Sequence, residues 1–508
     1  MFFEKYLSSK SNSKKIIIKG TLILTVASLV NRGIGFLYRI FLSNLIGAKG
    51  MGIYQLIFPV LAFCVSLSCG GIQIAVSRFV AESKSKKDRA SVLFSSIIMS
   101  LVLSVTTSVV LYFGAFVIAE YIVKNNECGI LLRLASFTIP LTAMHSCVAG
   151  FYLGQKKTFI PSVTNIIEQT VKVIAIYIIG MVCISSGIEL TPKVAVYSML
   201  ISEFIGVLFC FIFLSQEKFE RTSFKKIYSS FKNLFSVSYV LTVNKVMLTF
   251  LQCAEAVMVP IFLRKSGMSN DAALSTYGIL MGMALPVITF PSALNSSVST
   301  MILPTIAKAN SSDNSTGIKK TTKFSIWFST VMGIFFIGFF MFYGDFIGRR
   351  IFGHAHAGTY IQALSFLCPF MYLSITLGSV LHGLGNTRTA FIHNVCGVLI
   401  RILSLIFLVP HIGIKGYLWG LLFSEIITTT LHFMYVKKHI KIDFSPRNCI
   451  IKPAVWLGLS LAASYLIKYI FSFCVYKNII FDYAIQCACA LCIIAMFAFF
   501  LINDLRQA

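Results

Sequence analysis

Long apolar runs recur along this chain from about residue 17 to residue 502, and they settle its fold class before any motif is read. A helix of about 20 apolar residues crosses the roughly 30 Å hydrocarbon core of a bilayer, where the backbone must satisfy its own hydrogen bonds. Fourteen such runs are expected, at about 17–44, 53–80, 91–119, 131–153, 159–182, 194–214, 235–262, 276–303, 323–343, 358–381, 389–410, 416–436, 453–471 and 480–502. The expected fold is an all-α polytopic membrane protein. Composition agrees, since 57% of the 508 residues are hydrophobic and 12% are charged, whereas soluble domains carry about 25% charged residues.

A net charge of +26 would point to nucleic acid in a soluble chain. Here Lys and Arg gather on alternate connecting segments, the positive-inside pattern with both termini in the cytoplasm, so no nucleic-acid partner is expected. Clusters such as Lys84–Lys87 and Lys225–Lys226 suit anionic lipid headgroups. The 14 cysteines lie mostly in apolar runs without His or carboxylate neighbours. They read as small hydrophobes, and no metal, cofactor or disulfide framework is expected. Met1–Lys15 is polar and basic, and the first apolar run is too long for a signal-peptide core, so no cleaved signal is expected. No connecting segment is large enough for a soluble catalytic domain, which argues against an enzyme.

Charged side chains inside the spans carry the functional reading. The stretch Ser28–Gln55, SLVNRGIGFLYRIFLSNLIGAKGMGIYQ, places Asn31, Arg32 and Arg39 in an apolar helix. An Arg at mid-membrane costs about 2.5–3.5 kcal/mol by insertion scales, so it is expected to face a bundle interior or a wet cavity. Two helical turns separate the guanidinium groups, which puts them on nearly one face about 10 Å apart. Gly47, Gly50 and Gly52 then mark a tight turn at the membrane surface. In the fifth span Asn165, Glu168, Gln169 and Lys172 form a polar stripe, with Glu168 and Lys172 spaced for an intrahelical pair. In the seventh, Lys245 lies about 15 Å deep and needs a partner or water, and Glu255 is either that partner or a coupling residue. Arg401 and Glu425 lie at similar depth in spans 11 and 12 and read as a structural ion pair. His354 and His356 lack further ligands and read as a solvated loop.

An internal repeat organises the spans. Gly385–Thr389, GNTRT, repeats the pattern of Gly154–Thr158, GQKKT, about 230 residues later, and the same offset relates span 1 to span 7 and span 2 to span 8. Two parallel six-helix lobes follow: residues 1–215, a basic cytoplasmic linker at 216–234, and residues 235–437. Two additional spans at 438–508 have no counterpart. Span 8, Gly278–Pro304, carries three prolines and is expected to bend.

These residues resemble the multidrug/oligosaccharidyl-lipid/polysaccharide exporter superfamily, and within it the polysaccharide flippases of the stage V sporulation protein B type. The resemblance rests on Asn31–Arg32, Gly35–Phe36 and Arg39, on GAKGMGIYQ (Gly47–Gln55), on GFYLGQKKTFIPS (Gly150–Ser162), on IEQTVK (Ile167–Lys172) and on YGILMGMALPVITFPSAL (Tyr277–Leu294). It implies translocation of an undecaprenyl-pyrophosphate-linked saccharide, a peptidoglycan, spore-cortex or polysaccharide precursor, from the inner to the outer leaflet of the bacterial cytoplasmic membrane. By that resemblance Arg32 falls on a cavity arginine that takes the pyrophosphate. The next arginine of the pattern would fall at Tyr38, one position before Arg39, and the one expected in span 2 is absent from Val60–Val65, VLAFCV.

Physical chemistry supports the same class, because guanidinium groups match pyrophosphate oxygens in a desolvated pocket. H⁺, Na⁺ or the membrane potential are the candidate drivers. The alternative on the same fold is a cation-coupled drug or metabolite antiporter using Glu168, Glu203, Glu255 and Glu425. A membrane enzyme acting on the lipid carrier would call for acidic residues on a large outer loop, and a non-transporting scaffold would leave the buried charges unexplained.

Overall fold

The computed structural model describes residues 12–507 apart from 84, 218, 221–222, 441–444 and 473–478. Residues 1–11, on which the reading of the N-terminus partly rests, lie outside the described residues. Among the described residues the secondary structure is helical and no strand occurs. Among the described residues ten helical stretches are long and apolar enough to cross a membrane, or eleven if one pair bent by 56° counts as a single span. The chain is thus a multi-pass membrane protein.

The chain parts into two compact units, Met1–Met283 with Arg401–Tyr417, and Ala284–Ile400 with Leu418–Ala508. The sequence reading placed a lobe boundary in the linker at 216–234, whereas the first unit also holds the seventh span and the start of the eighth.

The first unit begins with α1 (Asn12–Cys69), 58 residues long and hence about 87 Å, two bilayer crossings in one helical element. The crossings meet at Gly47, whose φ of 67° combined with a ψ of −179° no β-carbon-bearing residue adopts cheaply. Gly52 serves a different purpose from the turn expected of it. A Cβ on Gly52 would strike the carbonyl of Leu274, and one on Gly278 would strike that of Ala48, so the two glycines let backbones touch. Next come α2 (Ile72–Glu82), α3 (Lys86–Val117), α4 (Glu127–Ala135), α5 (Thr138–Gly154), α6 (Phe159–Ser185), α7 (Lys193–Ser215), α8 (Phe224–Lys265) and α9 (Asn270–Tyr277). Helix α8 therefore starts inside the expected linker. Helix α3 shows the solvent's imprint. Ser91, Ser95, Ser96, Ser100, Ser104 and Ser108 are buried while Val102, Val110 and Phe113 stand exposed. In lipid the apolar face turns outward, and small polar residues let helices approach.

In the second unit the eighth span is broken, as its prolines predict: a wide π-turn at Gly278–Ala284, which starts in the first unit, leads to α10 (Leu285–Thr289) and α11 (Ser292–Ser311). Then follow α12 (Ser315–Phe346), α13 (Ala355–Ser365), α14 (Cys368–Gly383), α15 (Thr387–Phe407), α16 (Val409–Ile412), α17 (Ile414–Ile440), α18 (Lys452–Ser472) and α19 (Ile479–Gln507). The last two helices pack on α12 through Phe335, Tyr343, Trp456, Ile493 and Phe497.

The two turns that carry the GQKKT and GNTRT patterns close in the same way. Lys157 N donates to Tyr152 O and Asn386 N to Leu381 O, each at 2.9 Å, closing the ends of α5 and α14 alike. The left-handed residue is Lys156 (φ 63°) in one turn and Gly385 (φ 83°) in the other. Gly385 therefore matches Lys156 and not Gly154, two positions from the register read off the sequence.

Candidate functional site

Charged groups inside the first unit converge where α1, α5, α6 and α7 meet. On α1, Tyr38 is buried, and its hydroxyl lies 3.2 Å from that of Tyr54 and 3.3 Å from Ser198 Oγ. The neighbouring Arg39 donates from Nη1 to the Met281 carbonyl at 3.4 Å. From α6, Lys172 sets its ammonium 4.9 Å from the centre of the Tyr38 ring and 5.9 Å from that of Phe58. An ammonium over an aromatic face gains about 0.5–2 kcal/mol, which helps to hold a cation at this depth. Gln169 lies against Gly35 of α1, with its Oε1 4.0 Å from where a Cβ would stand. One face of α6 thus meets the arginine-bearing face of α1.

The acid of that stripe turns away from its expected intrahelical partner. Glu168 Oε2 lies 3.3 Å from His145 Nδ1 on α5, with side-chain exposures of 15% and 12%. Glu203 of α7 completes the group, and the three ligand atoms lie within 4.8 Å of one another. Glu203 Oε2 is buried without a hydrogen-bond partner among the described residues. Gly206, one turn on, lies beside Glu168, with Oε2 3.5 Å from where a Cβ would stand. One imidazole nitrogen and two carboxylates at this spacing can take up a proton or a small cation.

The other expected residues fall in different places. Arg32 is half-buried on α1, and Asn31 beside it buries an Oδ1 that has no partner among the described residues. Asn165 is exposed, so the inward stripe begins at Glu168. Lys245 is also exposed and lies over Gly70, with its Cδ 3.4 Å from the place of a Cβ. It does not pair with Glu255, which sits about 15 Å further along the same helix. Glu255 is instead buried against Arg401, whose Nε donates to Oε1 at 2.7 Å, and the Tyr417 hydroxyl donates to the same oxygen at 2.8 Å. Arg401 thus gives its Nε to Glu255.

Sequence reasoning missed His145 as a site residue and gave Glu203 no partner. A signal existed for each, because any ionisable residue in an apolar span is a functional suspect. What the sequence lacked was the crossing of α5, α6 and α7 that brings them together.

Comparison with known proteins agrees with this architecture. A family model described as "Polysaccharide biosynthesis protein" matches residues 17–310, and a second, MatE, matches residues 246–406. Stage V sporulation protein B of Bacillus subtilis (strain 168) is 24% identical over 470 residues, covering 90% of each chain. Lipid II flippase MurJ of the same organism is 26% identical over 217 residues, 40% of each chain. A solved structure of lipid II flippase MurJ in an inward closed conformation shares the fold, with a TM-score of 0.71 at 16% identity over 95% of this chain and 99% of that one. With its family model covering more than half of its length and a helical fold in common with those transporters, the chain belongs to the polysaccharide biosynthesis protein family of the multidrug/oligosaccharidyl-lipid/polysaccharide exporter superfamily.

Proposed function

We propose that this chain is a flippase that moves a saccharide linked through pyrophosphate to a long polyprenyl lipid from the inner to the outer leaflet of a bacterial cytoplasmic membrane. The observation that carries the reading is the cationic group of the first unit, Arg39 on α1 and Lys172 over the adjacent Tyr38 ring, with Arg32 two turns away on the same helix. A pyrophosphate cannot enter hydrocarbon unassisted, and Arg and Lys inside a helical bundle offer charge and directed donors together. Two six-helix lobes, expected at 1–215 and 235–437, would expose that group to each leaflet in turn, with both termini in the cytoplasm. No step makes or breaks a covalent bond, so the chain is not an enzyme in this reading. Similarity to stage V sporulation protein B over 90% of each chain supports a substrate of envelope or spore assembly.

A second reading, a cation-coupled drug or metabolite antiporter, draws on the His145–Glu168–Glu203 group and on the MatE match at 246–406. One experiment separates the two. Purified protein in proteoliposomes is given a labelled undecaprenyl-pyrophosphate saccharide, and leaflet accessibility is followed for the intact chain and for Arg39→Ala. Protein-dependent transfer that is lost in the variant supports the flippase. Static lipid, with a cationic dye exchanging against H⁺ or Na⁺, supports the antiporter.

A further inference from the structure

Two imidazoles touch inside the second unit. His393 on α15 and His432 on α17 bring their Nδ1 atoms to 2.7 Å, with ring centroids 4.9 Å apart. His432 is 1% exposed. The seam around them is polar: a Cβ at Gly397 of α15 would meet the Thr428 and Ser424 hydroxyls of α17, and Thr429 donates to the Phe370 carbonyl of α14 at 2.8 Å. Gly378 of α14 lies beside His432, with Nε2 3.9 Å from where a Cβ would stand. The titratable groups facing the pair are His382 from α14, which is exposed and within electrostatic reach of His432, and Tyr435, whose ring centre lies 6.3 Å from that of His393. His439 stacks on Tyr435, with centroids 4.1 Å apart. Glu425 lies two turns before His432 on the same side of α17, and Arg388, Lys437 and Lys438 stand exposed toward the helix ends.

At 2.7 Å only one hydrogen fits between two Nδ1 atoms, so one ring donates and the other accepts. The donor's Nε2 is then bare. A proton added there gives an imidazolium whose Nδ1–H still points at its neighbour, and the hydrogen bond becomes charge-assisted. A second proton would have to enter at the acceptor's Nδ1, facing two N–H groups and two charges toward each other, and the contact must open. We infer that His393 and His432 form a proton-binding site in the second unit that takes one proton with its contact intact and breaks on taking a second. This site is separate from the His145–Glu168–Glu203 group, and it stands whatever the chain carries. In the proposed orientation α14 ends, α15 begins and α17 ends at the cytoplasmic surface, so exposed His382 offers the route by which a cytoplasmic proton arrives. Two ordinary core histidines would each find a fixed neutral partner. Here the ring nitrogen of each meets a group that can itself take a proton.

The test is histidine-selective NMR of the full chain in lipid nanodiscs, titrated from pH 8 to pH 4 with protons as the only ligand. His393 and His432 are expected to titrate as a coupled pair in two separated steps, and His393→Gln is expected to reduce His432 to one step. Independent single steps would overturn the site, as would the absence of any step for either ring. A thermal-stability profile guards against loss of the variant. The intact chain should lose stability through the second step, and His432→Gln, which keeps a donor and an acceptor, should remove that loss. A profile identical in the two proteins overturns the inference. Neither readout depends on flipping, so failure of the flippase reading leaves both interpretable.

Discussion

Removing Arg401 tests the arrangement around Glu255 directly. The two side chains are 14% and 8% exposed, with Nε and Oε1 at 2.7 Å, and Tyr417 adds a hydrogen bond at 2.8 Å. Taking one partner from a buried pair leaves the other charge uncompensated, which costs about 3–5 kcal/mol. Arg401→Leu should lower stability by that amount. Replacing both, Arg401→Leu with Glu255→Leu, removes the charge orphaned at Glu255, and such replacements are often neutral or stabilising by about 1–4 kcal/mol relative to the pair. The double variant should therefore recover most of the loss. Tyr417→Phe should cost about 1.5–3 kcal/mol, the range for a hydrogen bond to a charged group. The assay is unfolding of purified protein in detergent, with the single and double variants closing a cycle and flipping measured in parallel. A cost below 1 kcal/mol for Arg401→Leu, or a double variant no more stable than the single, would refute the buried pair. A stable double variant that no longer transports would instead make Glu255 a coupling residue.

Arg39→Ala and Lys172→Ala should insert and accumulate normally yet lose saccharide flipping, with Arg32→Ala behaving in the same way; leaflet-accessibility assays check this, and full activity in Arg39→Ala would remove it from the site. Gly52→Ala should cost about 1–3 kcal/mol, because the added methyl meets the Leu274 carbonyl and the backbone must part. Lys156→Gly should raise stability by about 0.5–1 kcal/mol, since Lys156 holds a φ of 63° that glycine adopts at no steric cost; thermal unfolding reads both glycine variants. Arg264→Ala should leave flipping near that of the intact chain, because Arg264 bonds only the Lys124 carbonyl and Asn270 among the contacts seen for it, at a surface site.

The fold was legible because the bilayer imposes one rule everywhere. Apolar run length alone separates helices from connectors, and prolines and Gly47 mark where helices bend. Register was harder. Gly154 and Gly385 look equivalent as letters, yet the hydrogen bonds of the two turns align Gly385 with Lys156, because a left-handed residue need not be glycine when the turn pins it. Gly52 was misread for a related reason: nothing in one sequence tells a glycine that turns the chain from one that lets another helix touch it.

Depth was legible, partners were not. Arg39, Lys172 and Glu168 stood out because charge in an apolar span is costly, but which helix supplies the compensation depends on crossings that have no local signature. Glu168 shows the consequence. As an intrahelical partner of Lys172 it would cancel the cation and leave a neutral stripe; turned to His145 and Glu203 it leaves Lys172 over an aromatic ring. Glu168 and Lys172 remain one turn apart, with Cβ atoms about 6 Å from each other. At an effective dielectric of about 20 two unit charges at that distance interact by roughly 3 kcal/mol. A proton or cation taken up by the acid–imidazole group therefore makes the neighbouring cation a stronger site for an anion, and by reciprocity a bound pyrophosphate raises the affinity of that group for the cation. The sign of this coupling favours cation and anion together, whereas exchange of a cationic substrate against a coupling cation would require the two to compete for the acid–imidazole group.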